Sequence, residues 1–93
     1  MLSSLPVDLK KVDSKNIDKE IARVGMIAEL DAVSFYEQLA AMATDSNLKK
    51  VLLDIAKEEK THMAEFETML LKLDNEQIQE NIKAKEEIKK LTE

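Results

Sequence analysis

Apolar residues recur along most of this chain in alternating steps of four and three, the rhythm of a helix that buries one stripe. Ala22, Met26, Glu29, Val33, Tyr36, Ala40 and Ala43 form a first such run, and Leu48, Leu52, Ile55, Glu59, His62, Phe66, Met69 and Leu73 a second. They predict one helix over about residues 16 to 43 and another running to about residue 73. The polar break between them, Thr44-Asp45-Ser46-Asn47, is short and rich in capping residues, so the two helices are expected to fold back as an antiparallel hairpin with Asp45 as the second N-cap. Ser14 or Asn16 offers the first N-cap, and Asp18 and Glu20 place negative charge where the helix dipole favours it. Asp74-Asn75-Glu76-Gln77 reads as a capping box opening a third, shorter helix with a thin apolar stripe, Ile78, Ile82, Ile88 and Leu91. Residues 1–13 contain the only proline, Pro6, and no sustained period; an extended lead is expected there, leaving 14–93 as the helical domain. Gly25, one turn before Glu29, reads as a point of close helix packing.

Three polar residues interrupt the two stripes. Glu59 and His62, three apart, leave the same face of the second helix, and Glu29 lies in the seam of the first. An unpaired buried carboxylate costs several kcal/mol, so something must neutralise it, and a metal ion does so directly. In four-helix carboxylate di-metal proteins two helices each give a Glu and the other two each give a Glu-x-x-His, all pointing inward. This chain holds one of each, half of that set; two chains paired across a two-fold axis would complete it with four carboxylates and two imidazoles. Carboxylate with imidazole and no thiolate suits iron or manganese, with zinc as a competitor. Tyr36, one heptad beyond Glu29, is placed to hydrogen-bond a ligand, donate an electron, or simply pack in the seam. The spacing alone leaves a second reading open, a metal-free hairpin in which Glu59 and His62 pair with Lys or with each other to set register.

Composition narrows the field. With 93 residues, 44% hydrophobic, 35% charged, one Gly and one Pro, the chain suits a single all-helical unit. At this length and with 3% aromatic residues its own core is modest, so long amphipathic helices are expected to share surface with a partner. A net charge of −5 and a pI near 4.9, with basic residues interspersed among acids, argue against nucleic acid. No apolar run approaches the roughly 20 residues that span a bilayer, and the N-terminus lacks a secretory pattern, so a soluble intracellular protein is expected. The absence of cysteine excludes disulfides, thiolate zinc sites and a rubredoxin-type iron site on this chain.

The stretch Ile27-Ala28-Glu29-Leu30-Asp31-Ala32-Val33-Ser34-Phe35-Tyr36-Glu37-Gln38, followed thirty residues after Glu29 by Glu59 and His62 in Glu58-Glu59-Lys60-Thr61-His62, resembles the encapsulated ferritin family. The resemblance extends from about Ser14 to Leu91 and includes the hairpin turn at Asp45. It implies half of a ferritin-like four-helix bundle, completed when two chains form a di-iron ferroxidase centre at their interface, with dimers assembling into an open ring, a decamer. It also implies housing inside a cytoplasmic encapsulin nanocompartment, where Fe(II) oxidised by O2 is mineralised. Residue by residue, Glu29, Glu59 and His62 match the metal ligands, with Glu59 bridging, Glu29 terminal and His62 the nitrogen donor, and Tyr36 matches the tyrosine close to them. Asp31 matches an acidic position that, with a glutamate just before the first ligand, forms a metal-uptake site in some members; Ala28 in that preceding position reduces it. Phe35 stands where an aromatic is expected. Family members usually continue past the third helix into a shell-docking tail or are fused to the shell protein, and a sequence ending in Leu91-Thr92-Glu93 leaves open a trimmed tail, a fusion, or another route of cargo loading. A rubrerythrin-like di-iron peroxidase or oxidase on the same bundle is the rival enzymatic reading, and the missing thiolate iron site counts against it.

Overall fold

The computed structural model describes residues 8–11, 13, 14 and 16–93. Most of the expected lead over 1–13 lies outside them; its described part makes a short 3-10 turn at Leu9–Lys11, closed by the Lys11 N–H on the Asp8 carbonyl at 3.1 Å. Three helices follow, α1 (Ile17–Met42), α2 (Ser46–Leu73) and α3 (Asn75–Thr92), and no strand is present among the described residues.

The caps fall where the polar breaks put them, with two differences in who does the bonding. Asn16 takes the N-cap position of α1, but its backbone is helical (φ −109°, ψ −1°), so its side chain does not reach the helix amides. Asp13 supplies the local bonds instead, accepting from the Asn16 N–H at 3.0 Å and from its side-chain amide. Asp45, extended, caps α2 through the Asn47 N–H at 2.9 Å as expected. At the α2–α3 junction Asp74 accepts from the Gln77 N–H at 3.2 Å, which is one arm of the capping box. The other arm is not made: the Gln77 side chain donates to Asn81 at 2.9 Å.

Asp74 also joins the ends of the hairpin. Its second oxygen takes Arg23 Nη2 at 2.9 Å, while Nη1 of the same guanidinium donates to Glu20 at 2.7 Å. Glu20, with Asp74 behind it, holds the Arg23 guanidinium above its ordinary pKa against the opposing effect of desolvation. Asp74 is 9% exposed, so the start of α3 is pinned to α1 by a nearly buried carboxylate.

α1 and α2 pack as an antiparallel hairpin, and the core between them is thin: Ala22, Val33 and Ala40 from one side, Ala56 and Leu70 from the other, with no large side chain fully buried among the described residues. The first seam faces inward along its whole length. The second does not. Packing on α2 follows Leu52, Ala56, Glu59, Met63, Phe66 and Leu70, whereas Leu48, His62, Met69 and Leu73, read from the sequence as buried in the same seam, are exposed. The apolar stripe of α2 is wider than one neighbouring helix can cover, and the small Ala56 draws α1 toward one side of it.

The outer flank of that stripe, together with α3, is left open. α3 has no buried residue, packs little against the hairpin, and exposes Ile82, Ile88 and Leu91. The chain exposes 7206 Å² and has a radius of gyration of 16.6 Å. A compact monomer of this mass would expose roughly 5,500 Å² and one of this length would measure about 12 Å.

Candidate metal centre

Glu29 from α1 meets Glu59 and His62 from α2 halfway along the hairpin. Nδ1 of His62 lies 3.4 Å from Oε2 of Glu59 and 3.6 Å from Oε2 of Glu29, and one donor atom from each of the three residues lies within 4.8 Å of the others. The two carboxylates are largely enclosed, with side chains 22% and 19% exposed; the imidazole, expected in the core, is 49% exposed on the open flank of α2. Oε2 of Glu29 is buried and accepts no hydrogen bond among the described residues. A buried carboxylate oxygen without a donor is costly, and native folds rarely leave one.

The donor set fits a divalent cation. Two carboxylates cancel a charge of +2, a neutral imidazole adds a nitrogen, and Glu29 Oε2 has lone pairs that no hydrogen bond among the described residues uses. Three side chains converge where such ions take four to six donors, and the exposed side of His62 is where the group opens to further ligands.

A groove of about 320 Å³ opens beside the group, lined by Glu29, His62, Glu65, Phe66 and Met69. Glu65 was not singled out in the sequence, although its position three residues after His62 is a sufficient signal that it shares that face. Phe66 reaches across to α1, where its ring occupies the space in front of Gly25, as the close-packing reading of that glycine requires.

Two further residues expected at the site are placed by their own helix positions and not among the three donors. Tyr36 lies on the Glu29 face of α1 but two turns further along, half-buried, with its ring edge-on to Phe35 at 5.4 Å and 66°. Asp31, two residues after Glu29, points from the opposite side of α1 and is itself buried, 8% exposed.

Comparison with known proteins agrees with this fold. A family model described as EncFtn-like matches residues 5–90. The chain is 47% identical over 94 residues to a ferritin-like–encapsulin shell fusion protein of Pyrococcus furiosus, covering 99% of this chain and 27% of that protein. It therefore spans about a quarter of the length of that curated relative. It also superposes on the crystal structure of the encapsulated ferritin domain from Pyrococcus furiosus with a TM-score of 0.83 and 46% identity, covering 99% of this chain and 96% of that one. A three-helix chain that folds its carboxylates and histidine together in this way, and matches that family along nearly its whole length, belongs to the encapsulated ferritin family.

Proposed function

We propose that two copies of this chain pair across the open flank of α2 and build a di-iron ferroxidase centre from both sets of Glu29, Glu59 and His62. The observation that carries this reading is the buried, donor-less Oε2 of Glu29, 3.6 Å from His62 Nδ1 in a group that wants a cation. Four carboxylates from two chains balance two divalent ions, and a pair of irons is what a two-electron step needs. Each Fe(II) gives up one electron; two electrons and two protons take one O2 to hydrogen peroxide, leaving two Fe(III).

In this reading Glu59 would be shared between the two irons, Glu29 would hold one as a terminal carboxylate, and His62 would supply one nitrogen per chain. Tyr36 lies on the same face of α1 and serves as a nearby hydroxyl. The exposed half of His62 and the apolar residues along the same flank of α2, Leu48, Val51 and Met69, are the surface the second chain covers. Exposed Ile82, Ile88 and Leu91 on α3 are available for contacts between dimers in a ring. The fused relative joins a ferritin-like part to an encapsulin shell, and we propose that this chain likewise works inside such a compartment, in the cytoplasm, delivering Fe(III) for mineralisation.

An anaerobic Fe(II) titration of the metal-free protein, followed by air, tests this, with mass and metal content read on the same sample. Two irons per two chains, oxidation on adding O2, and a shift to dimer or larger are expected. No binding, or one metal per isolated chain, would leave only the fold in common with the family.

A further inference from the structure

Gly25 is the chain's single glycine and sits in the middle of α1, a place helices disfavour for it. Its backbone asks for nothing special, since no glycine has a positive φ. The reason for it lies across the hairpin. A Cβ at residue 25 would stand 2.5 Å from Cδ1, 2.6 Å from Cε1 and 2.6 Å from Cγ of Phe66, so one side of that ring takes the place a side chain would fill. Ordinary contact begins near 3.4 Å, so adding a methyl requires the ring or the helix to move by about 1 Å. Cγ is not the free end of a flexible side chain: displacing it takes a rotation about Cα–Cβ that swings the whole ring, or a shift of the turn that carries Phe66.

That turn also carries His62, four residues before Phe66, just as the turn after Gly25 carries Glu29. The Phe66 ring lines the groove with both of them. We infer that Gly25 and Phe66 are positioning residues for the metal-binding group: their contact sets the α1–α2 separation at which the donors of Glu29 and His62 converge. The inference rests on the proposed metal centre and assigns to it a spacer that touches neither metal nor oxidant. Bonds from such donors to a metal are about 2 Å long, and a site tolerates errors of only about 0.5 Å in where its donors stand. The 3.6 Å between His62 Nδ1 and Glu29 Oε2 is therefore the distance this contact controls.

The test is Co(II) titration of the full chain, read by the visible absorption of the bound ion, whose bands report ligand geometry, with helix content followed by circular dichroism. Gly25→Ala should keep its helix content and bind Co(II) about tenfold or more weakly, with altered bands, the size of effect that supporting groups have on metal sites. Phe66→Leu should weaken binding from the other side by removing the spacer. Gly25→Ala/Phe66→Leu, in which the new methyl takes up part of the room the ring leaves, should recover affinity relative to both, a coupling that independent effects do not produce. Wild-type affinity and spectrum in either folded single variant would overturn the inference, as would a folded double variant no better than its parents. Where Gly25→Ala does not fold, Phe66→Leu and the double variant decide the matter. Wild-type protein that binds no Co(II) overturns the metal centre and this inference together, whereas a binding wild type with indifferent variants overturns this inference alone.

Discussion

Nδ1 of His62 stands 3.6 Å from Oε2 of Glu29, an oxygen that is buried and receives no hydrogen bond among the described residues. The two residues come from different helices, and the gap between them is too long for a hydrogen bond and short enough for one ion to touch both. Holding Glu29 this way without a cation is unfavourable, because desolvation acts against its charged form. Glu29→Gln should therefore have opposite effects in the two states of the protein. Without metal it should be as stable as the wild type or more stable, by up to about 1 kcal/mol, since a neutral amide is cheaper to enclose. With metal it should gain nothing, while the wild type gains about 2.7 kcal/mol at a metal concentration 100 times its dissociation constant. Anaerobic thermal melts with and without Fe(II) or Mn(II) would show it, and a chelator should reverse the wild-type gain. A variant destabilised without metal would mean that Glu29 has a structural partner and no need of an ion.

Glu59 carries the oxidation itself in the proposed centre. Glu59→Ala should lower the rate of Fe(II) oxidation by more than about 100-fold, beyond the range that outer groups alone account for. Its helix content should not change, because Glu59 lies in the middle of α2 and alanine is a better helix former. Unchanged oxidation in a folded Glu59→Ala protein would remove the bridge from the mechanism.

Most of this was legible in the chain before any coordinates. The four-three rhythm gave both long helices, the Asp45 and Asp74 caps placed their breaks, and Glu29, Glu59 and His62 stood out as polar residues in apolar stripes. What stayed hidden depends on geometry that periodicity does not carry. Seven consecutive turns of α2 offer a stripe wide enough for two neighbours, so sequence cannot say that Ala56 and Leu70 face α1 while His62 and Met69 face outward. The Arg23–Asp74 pair links positions 51 residues apart, with no local signal at either. Asp31 is displaced from Glu29 because two residues turn the helix by about 200°.

The Arg23–Asp74 contact governs where α3 goes. Asp74 caps α3 and binds Arg23 with its two oxygens, so Asp74→Ala removes both at once. The cap contributes about 1 kcal/mol. The pair adds less than about 1 kcal/mol, because the Arg23 side chain is 43% exposed and Glu20 still holds it after the loss. A total cost of about 1–2 kcal/mol is expected, concentrated in α3, which has no buried residue to hold it otherwise. Hydrogen exchange should show faster opening of 75–92 with little change in the α1–α2 core. Asp74→Asn keeps an acceptor for the Gln77 N–H and should cost less than half as much. Equal losses across all three helices would show instead that Asp74 supports the hairpin as a whole.

Pairing of two chains can be separated from metal binding by acting far from the ligands. Val51 lies on the same outward face of α2 as His62, is 56% exposed, and stands eleven residues away, about 16 Å along the helix. Val51→Lys leaves the single chain nearly unaffected, within about 0.5 kcal/mol, because the position is already in water. If the second chain covers this flank, each dimer must enclose two unpaired ammonium groups, and dimerisation should weaken by at least about 100-fold, or about 2.7 kcal/mol. Iron binding should fall with it, although Val51 touches no ligand, because each half-site then lacks the donors of the other chain. Analytical ultracentrifugation and metal content measured together give the answer, with Val51→Thr as a control that keeps the shape and should pair normally. A Val51→Lys protein that stays dimeric with full metal content would place the second chain on another face; one that is monomeric yet binds and oxidises iron normally would show that a single chain suffices.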